Sequence, residues 1–227
     1  MTDKELFDRV RELLNGDWQT LPTGKGWGGT GAPGKFLEIL LGLDSDSSDT
    51  PDSGRWEVKF TSGNALLTLF HKTPRPKGSM KYMVNKFGWI GKNNRQSFRH
   101  TIEGSSEKGF NIAADSGSVW VRHPDHNGPV PYWTFDDLLN IAGGKLRRLL
   151  LVRGEKSKGR VLYKSAWKFE ELKHTKLIQA IETGLVAVDF DAYIKPSGAV
   201  RDHGVKFRVR TENLRTLYSK SSRIQRR

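Results

Sequence analysis

Apolar residues recur at helical spacing at the start of the chain, at Leu6, Val10, Leu13 and Leu14, before Asn15-Gly16 ends the run. Ahead of them Thr2-Asp3-Lys4-Glu5 spells a capping box, so a first amphipathic helix is expected. A second is expected from Lys35 to Gly42, with Leu37, Leu40 and Leu41 on one stripe. Leu43 to Gly54 is polar and acidic and reads as a loop. The period then changes to two: in Arg55 to Phe60, Trp56, Val58 and Phe60 face one way, and Glu57 and Lys59 the other. The strong apolar face implies a strand held centrally. A second strand, Ala65 to Lys72, follows the turn at Ser62-Gly63-Asn64 and predicts a hairpin.

Beyond the Pro-rich stretch at residues 74–78, a helix is expected over Ser79 to Phe87, then strands near Phe98 to Ile102, Phe110 to Ala114 and Val119 to His123. The last two are joined by Asp115-Ser116-Gly117. A helix near Thr134 to Ala142 precedes strands at Leu146 to Arg153 and Val161 to Phe169. A helix from Thr175 to Gly184 leads into a buried strand, Leu185 to Phe190. Lys206 to Arg210 feeds a final helix from Thr211, and the basic tail from Ser219 reads as disordered or associated with nucleic acid. Many strands with few helices predict a mixed α/β (α+β) fold.

Charge narrows the partner. The 227 residues carry 38 Lys and Arg against 25 acidic residues, a formal +13, which points to a polyanion and first to nucleic acid. No basic amphipathic helix with a broad apolar face, lipidation signal or long apolar run argues for a membrane. Without cysteine there is no thiolate metal site or cysteine nucleophile, and a cytoplasmic, prokaryotic-type protein fits. Gly29 to Lys35 spells Gly, four residues, Gly, Lys, the outline of a phosphate-binding loop. Phe36 stands where a magnesium-binding hydroxyl belongs, and no apolar strand precedes the loop, so no nucleotide cofactor is expected.

The remaining chemistry lies around the alternating strand. Asp52 stands before it, and Glu57 and Lys59 project from one face, roughly 6.6 Å apart by strand rise. Phosphodiester hydrolysis needs groups that hold a hard cation, polarise a phosphate and position water, and two carboxylates with a lysine suit these tasks. Glu38, on the helix after the glycine loop, would add a further acid. A solvated strand face of alternating charge gives the same pattern, so the spacing alone leaves both readings open.

The succession GTGAPGKFLEILLG, PDSGRWEVKF, LLTLFHKTP, VNKFGW and RDHGVKFRV resembles the MvaI/BcnI family of Type II restriction endonucleases, in the MutH-like branch of the PD-(D/E)xK nucleases, in block order and from about Leu21 to the C-terminal helix. The resemblance implies a PD-(D/E)xK core, with a central mixed sheet flanked by helices in a single domain. That domain would have two lobes around a DNA cleft, catalytic over about 34–72 and recognition over about 110–210. It further implies a monomeric, Mg²⁺-dependent enzyme that cuts the strands of a short CC-N-GG-like site in double-stranded DNA one after the other, with a companion methyltransferase in the host. Asp52 and Glu57 would be metal ligands, Lys59 the catalytic lysine, Glu38 the helix-borne acid, and His71 a residue beside the active site and the central base pair. Lys72, Arg201, Asp202, His203, Lys206 and Arg208 would contact DNA. Lys206 stands where members reading a central G·C pair carry a second histidine, which tilts the central pair toward A·T. A MutH-like nicking enzyme and a non-catalytic DNA-binding domain are the competing readings.

Other residues are less telling. His123 and His126 have HxxH spacing, but the intervening proline and missing third ligand favour an exposed loop. Trp56, Trp120 and Trp167 read as core, whereas Trp27, in the glycine loop, could touch DNA. Lys86, Lys92, Arg95 and Arg99 form a basic run that a solvated face explains equally well.

Overall fold

The computed structural model describes residues 1–43, 55–91 and 94–226. Its first helix, α1 (Asp3–Asn15), starts as its capping box dictates. The Glu5 N–H donates to Thr2 Oγ1 at 3.2 Å, and the Thr2 N–H donates to Glu5 Oε2 at 2.7 Å. Then follow β1 (Gln19–Thr20), α2 (Ala32–Leu40), β2 (Glu57–Thr61), β3 (Leu67–His71), α3 (Ser79–Phe87), β4 (Trp89–Ile90) and β5 (Gln96–Ile102). The middle comprises β6 (Asn111–Asp115), β7 (Ser118–Arg122), β8 (Tyr132–Thr134), α4 (Phe135–Lys145), β9 (Arg148–Ser157) and β10 (Arg160–Leu172). The chain continues through α5 (His174–Glu182), β11 (Val186–Ile194), β12 (Val200–Asp202), β13 (Lys206–Val209), α6 (Leu214–Leu217) and β14 (Tyr218–Ile224).

These elements form two units. The first takes residues 1–65, 142–173 and 214–227, around a sheet ordered β1-β10-β9-β2 with β14 also on β10. Leu6, Val10 and Leu14 of α1 and Leu37 of α2 join Trp56, Val58, Leu150, Val152 and Tyr163 in its core. The second takes residues 66–141 and 174–213, with a sheet ordered β3-β13-β11-β5-β4, β12 added beside β11, and a separate β6-β7-β8 sheet. The β6-β7 hairpin turns through Ser116 and Gly117, both at positive φ, as a two-residue turn demands.

Several expectations change. The β2 and β3 strands do not form a hairpin: β2 runs parallel to β9 while β3 pairs antiparallel with β13, and the chain passes between units near Ala65. Nor is β2 central; it ends its sheet's order, and its fixed position comes from burial of both Glu57 and Val58. The tail is ordered as β14, whose backbone pairs with β10 from Tyr218 to Ile224 and whose two end residues are buried. The expected final helix shrinks to a 3₁₀ turn at Thr211–Asn213 and the single turn of α6. Trp56 is core as expected, but Trp120 and Trp167 are half-buried, and Trp133 is the other fully buried indole.

Candidate active site and nucleic-acid interface

In the first unit, chemistry gathers at Glu57. The side chain leaves the first residue of β2 and is completely buried. An isolated carboxylate there would carry a desolvation penalty of several kcal/mol. Two ammonium groups offset it. Lys59, on the same face of β2, forms an ion pair with Glu57 Oε1, and Lys145, the last residue of α4, places Nζ 3.7 Å from Oε2. Beside them the Tyr218 hydroxyl donates to the Leu146 carbonyl at 2.8 Å, and burial together with the Glu57 charge raises its pKa.

Helix α2 brings Glu38, half-buried, into the same unit. The helix packs on the sheet of β2: the Tyr163 hydroxyl donates to the Pro33 carbonyl at 3.3 Å, and a Cβ at Gly34 would meet Phe60 Cβ at an ordinary contact distance of 3.7 Å. Lys35 Nζ lies 4.8 Å from the centre of the Trp27 ring, which meets Phe36 edge-on. Trp27 is therefore half-buried in its loop, against Lys35 and Phe36 of α2. Asp52 lies outside the described residues.

The second unit carries the other expected residues on and beside its large sheet, with Lys206, Arg208 and Arg201 on the face that Asp189, Asp191 and Tyr193 share. Strand pairing aligns Lys206 with His71 on one side and Asp189 on the other, and Asp191 with Arg99. The side chains connect along that face. Lys206 Nζ lies 3.6 Å from Asp191 Oδ2, and Arg99 Nε lies 3.0 Å from Asp191 Oδ1. Arg208 donates to Asp189 Oδ2 at 3.1 Å and to the Leu66 carbonyl at 2.9 Å, while Thr101 donates to Asp189 Oδ1 at 2.8 Å. The Arg208 Nε is buried and has no hydrogen-bond partner among the described residues. Arg201 is exposed, His203 tilts toward Tyr193, and Asp202 Oδ1 accepts the Gly204 N–H at 2.8 Å, capping its own turn. Lys72 lies 3.6 Å from Asp137. The Asp137 pKa falls to about 2, chiefly through its hydrogen bond from Arg75, whose Nε lies 2.7 Å away.

Sequence reasoning passed over Asp189, Asp191, Thr101 and Lys145, and placed Arg99 only in a basic run that a solvated face explains equally well. The alternation in VAVDFDAYI could have revealed the first two, since Val188 and Phe190 are buried while the aspartates point away. For Lys145 no local signal exists, because only tertiary folding brings it to Glu57. His123 and His126 lie in the expected loop, but both are half-buried, with their rings tilted or edge-on against Phe87 and Phe110. No group of three or more potential metal-ligating side chains occurs among the described residues, nor does a helix long and apolar enough to cross a membrane.

The mixed α/β architecture has counterparts among solved structures. Over 99% of this chain and 100% of the other, it is similar to a restriction endonuclease MvaI–cognate DNA substrate complex, with 27% identity and a TM-score of 0.83. Similarity to restriction endonuclease MvaI in the absence of DNA gives 26% identity and a TM-score of 0.61 over 99% of both chains. No curated protein matches. The MvaI/BcnI restriction endonuclease family matches residues 11–218, and the chain belongs to that family of DNA-cleaving hydrolases.

Proposed function

We propose that this protein is a monomeric, site-specific, Mg²⁺-dependent endonuclease that cuts double-stranded DNA at a short CC-N-GG-like site, one strand at a time, leaving 5′-phosphates. The observation that carries the reading is the buried Glu57 carboxylate held between Lys59 and Lys145. A buried carboxylate paired with ammonium groups is a ready ligand for a hard cation, and its neighbouring lysine is placed to act on a phosphate.

The donor set fits magnesium. With no all-protein cage among the described residues, an ion would be held by one or two carboxylates, Glu57 and Asp52 in this reading, leaving positions for water and phosphate oxygens. When bound, it would supply Lewis-acid polarisation of the phosphate and a lowered pKa for water. Lys59 donates hydrogen bonds from its ammonium group to the attacking water or to a non-bridging phosphate oxygen, offsetting the charge that develops in the transition state. Lys145 holds the Glu57 carboxylate in place, and Glu38 orients water at the same centre. In the second unit, Arg208 and Lys206 suit guanine O6 and N7, while Asp189 and Asp191 both fix those cations and can accept from cytosine N4. Arg201, exposed, suits phosphate, and Lys72, His203 and Asp202 border the same surface. In this reading His71, aligned with Lys206, stands near the central base pair.

Replacement of Lys59 tests the assignment. Lys59→Ala is expected to lower cleavage of a long DNA by at least about 10²-fold while specific binding changes little. Sequencing the fragment ends from the wild-type digest with Mg²⁺ reads the site. Full activity of Lys59→Ala would overturn the catalytic assignment, and nicks in one strand only would favour the MutH-like reading.

A further inference from the structure

At the β4 end of the second unit's large sheet, a recess of about 560 Å³ lies among Trp89, Ile90, Arg95, Ser97, Arg99 and Tyr193. Its composition is unusual for solvated surface. Ile90 is 64% and Trp89 37% exposed, although both are large apolar residues on a two-residue edge strand. Cations surround them: the Arg95 guanidinium lies 5.2 Å from the Tyr193 ring centre, Lys108 Nζ lies 3.7 Å from that of Trp89, and Arg99 is 62% exposed at its ion pair with Asp191. Arg95 has no carboxylate partner among the described residues, so its charge is uncompensated and its position is set by an aromatic face.

The recess is continuous with the proposed recognition face. Ser97 aligns with Tyr193 and with Trp89, and Arg99 aligns with Asp191, which in turn binds Lys206. One sheet surface therefore runs from the strands that would read bases to an edge whose described lining residues are chiefly apolar, aromatic and cationic, with no carboxylate among them. A sugar–phosphate backbone needs this mixture, with apolar surface against deoxyribose and fixed arginines against phosphate.

We infer that the Trp89–Tyr193 recess seats the sugar–phosphate backbone of the duplex just outside the recognition sequence. The inference rests on the DNA-cleaving reading above. By anchoring flanking DNA, the recess adds affinity that carries no sequence information, and short substrates lack it.

The test compares two duplexes bearing the site read from the wild-type digest, one ending flush with it and one extended by several base pairs on each side. Binding is followed by fluorescence anisotropy over a range of salt, in EDTA, for wild type and for the double variant Ile90→Ser/Arg95→Ala. The wild-type protein is expected to prefer the extended duplex by about tenfold and to show a steeper salt dependence on it. The variant should bind both duplexes alike, with the slope on the extended duplex reduced by about 0.9 for each phosphate that is no longer neutralised. Circular dichroism confirms that the variant is folded, and Arg95→Lys, which keeps the charge, should restore part of the slope. Equal weakening on both duplexes, or no change on either, overturns the inference, as does self-association that Ile90→Ser abolishes. Failure of the wild-type protein to cut any DNA at discrete positions would instead overturn the nuclease reading itself.

Discussion

At the scale of single residues, burial decides which charges matter. Glu57 has two cationic neighbours where one would form an ordinary ion pair, and the second arrives from the end of α4. Removing Lys145 takes one cationic neighbour from a completely buried carboxylate, so Lys145→Met should cost roughly 2 kcal/mol in urea unfolding. Glu57→Gln in the Lys145→Met background should return much of that stability, and stability unaffected by Lys145→Met would remove the lysine from the site. His126 shows the converse. Its two ring nitrogens are buried without hydrogen-bond partners among the described residues, and burial, followed by the His123 charge, lowers its pKa. A histidine whose folded pKa lies below its unfolded value contributes stability above about pH 6.5 that is lost as pH falls through the folded pKa. Thermal melts should therefore show acid destabilisation that His126→Phe flattens without lowering the melting temperature at neutral pH. His100, also shifted down by burial and by Lys108, would keep part of the effect. An unaltered pH profile would place the acid sensitivity elsewhere.

At the scale of elements, close backbone approach explains features that hydrophobic periodicity does not encode. Gly184 ends α5 at φ +83°, and a Cβ there would collide with the Glu103 carbonyl at the end of β5. Gly184→Ala should cost roughly 2 kcal/mol or more, combining left-handed strain with displacement of a neighbouring backbone, whereas Gly198→Ala, with open space around it, should show the strain alone. Equal costs in denaturant melts would mean that the close approach is unimportant. The same distinction governs what could be read from sequence. The α1 cap, the bounds of α3 and the β6-β7 turn were legible because each is decided by residues a few positions apart. The β2-β9 pairing was not, because it joins Glu57 to Leu149 in parallel across much of the chain, and the two strands look like hairpin partners of their sequence neighbours. The candidate site divides similarly: Glu57 and Lys59 are visible in a strand's alternation, whereas Lys145 reaches them only through the tertiary fold.

At the scale of the whole molecule, the +13 charge gives affinity for any DNA, so specificity must come from cations whose positions are fixed. The second unit holds both kinds. Arg201 is exposed on β12, free to follow a phosphate, while Arg208 is tied to Asp189 and to the Leu66 carbonyl. A tied guanidinium presents its remaining donors in one direction, which costs little further ordering when it meets a base edge and makes a misplaced acceptor unfavourable. Arg201→Ala should weaken binding equally for specific and unrelated duplexes and reduce the salt slope by about 1. Arg208→Ala should instead lower the preference for the cognate site by about 1 to 3 kcal/mol with a smaller change in nonspecific affinity. Competition titrations of both variants, at two salt concentrations against cognate and scrambled duplexes, separate these effects. If Arg208→Ala weakened binding uniformly, its network with Asp189 would be a structural tie of β11 to β13, and base reading would have to rest on Lys206 and the groups around Asp191.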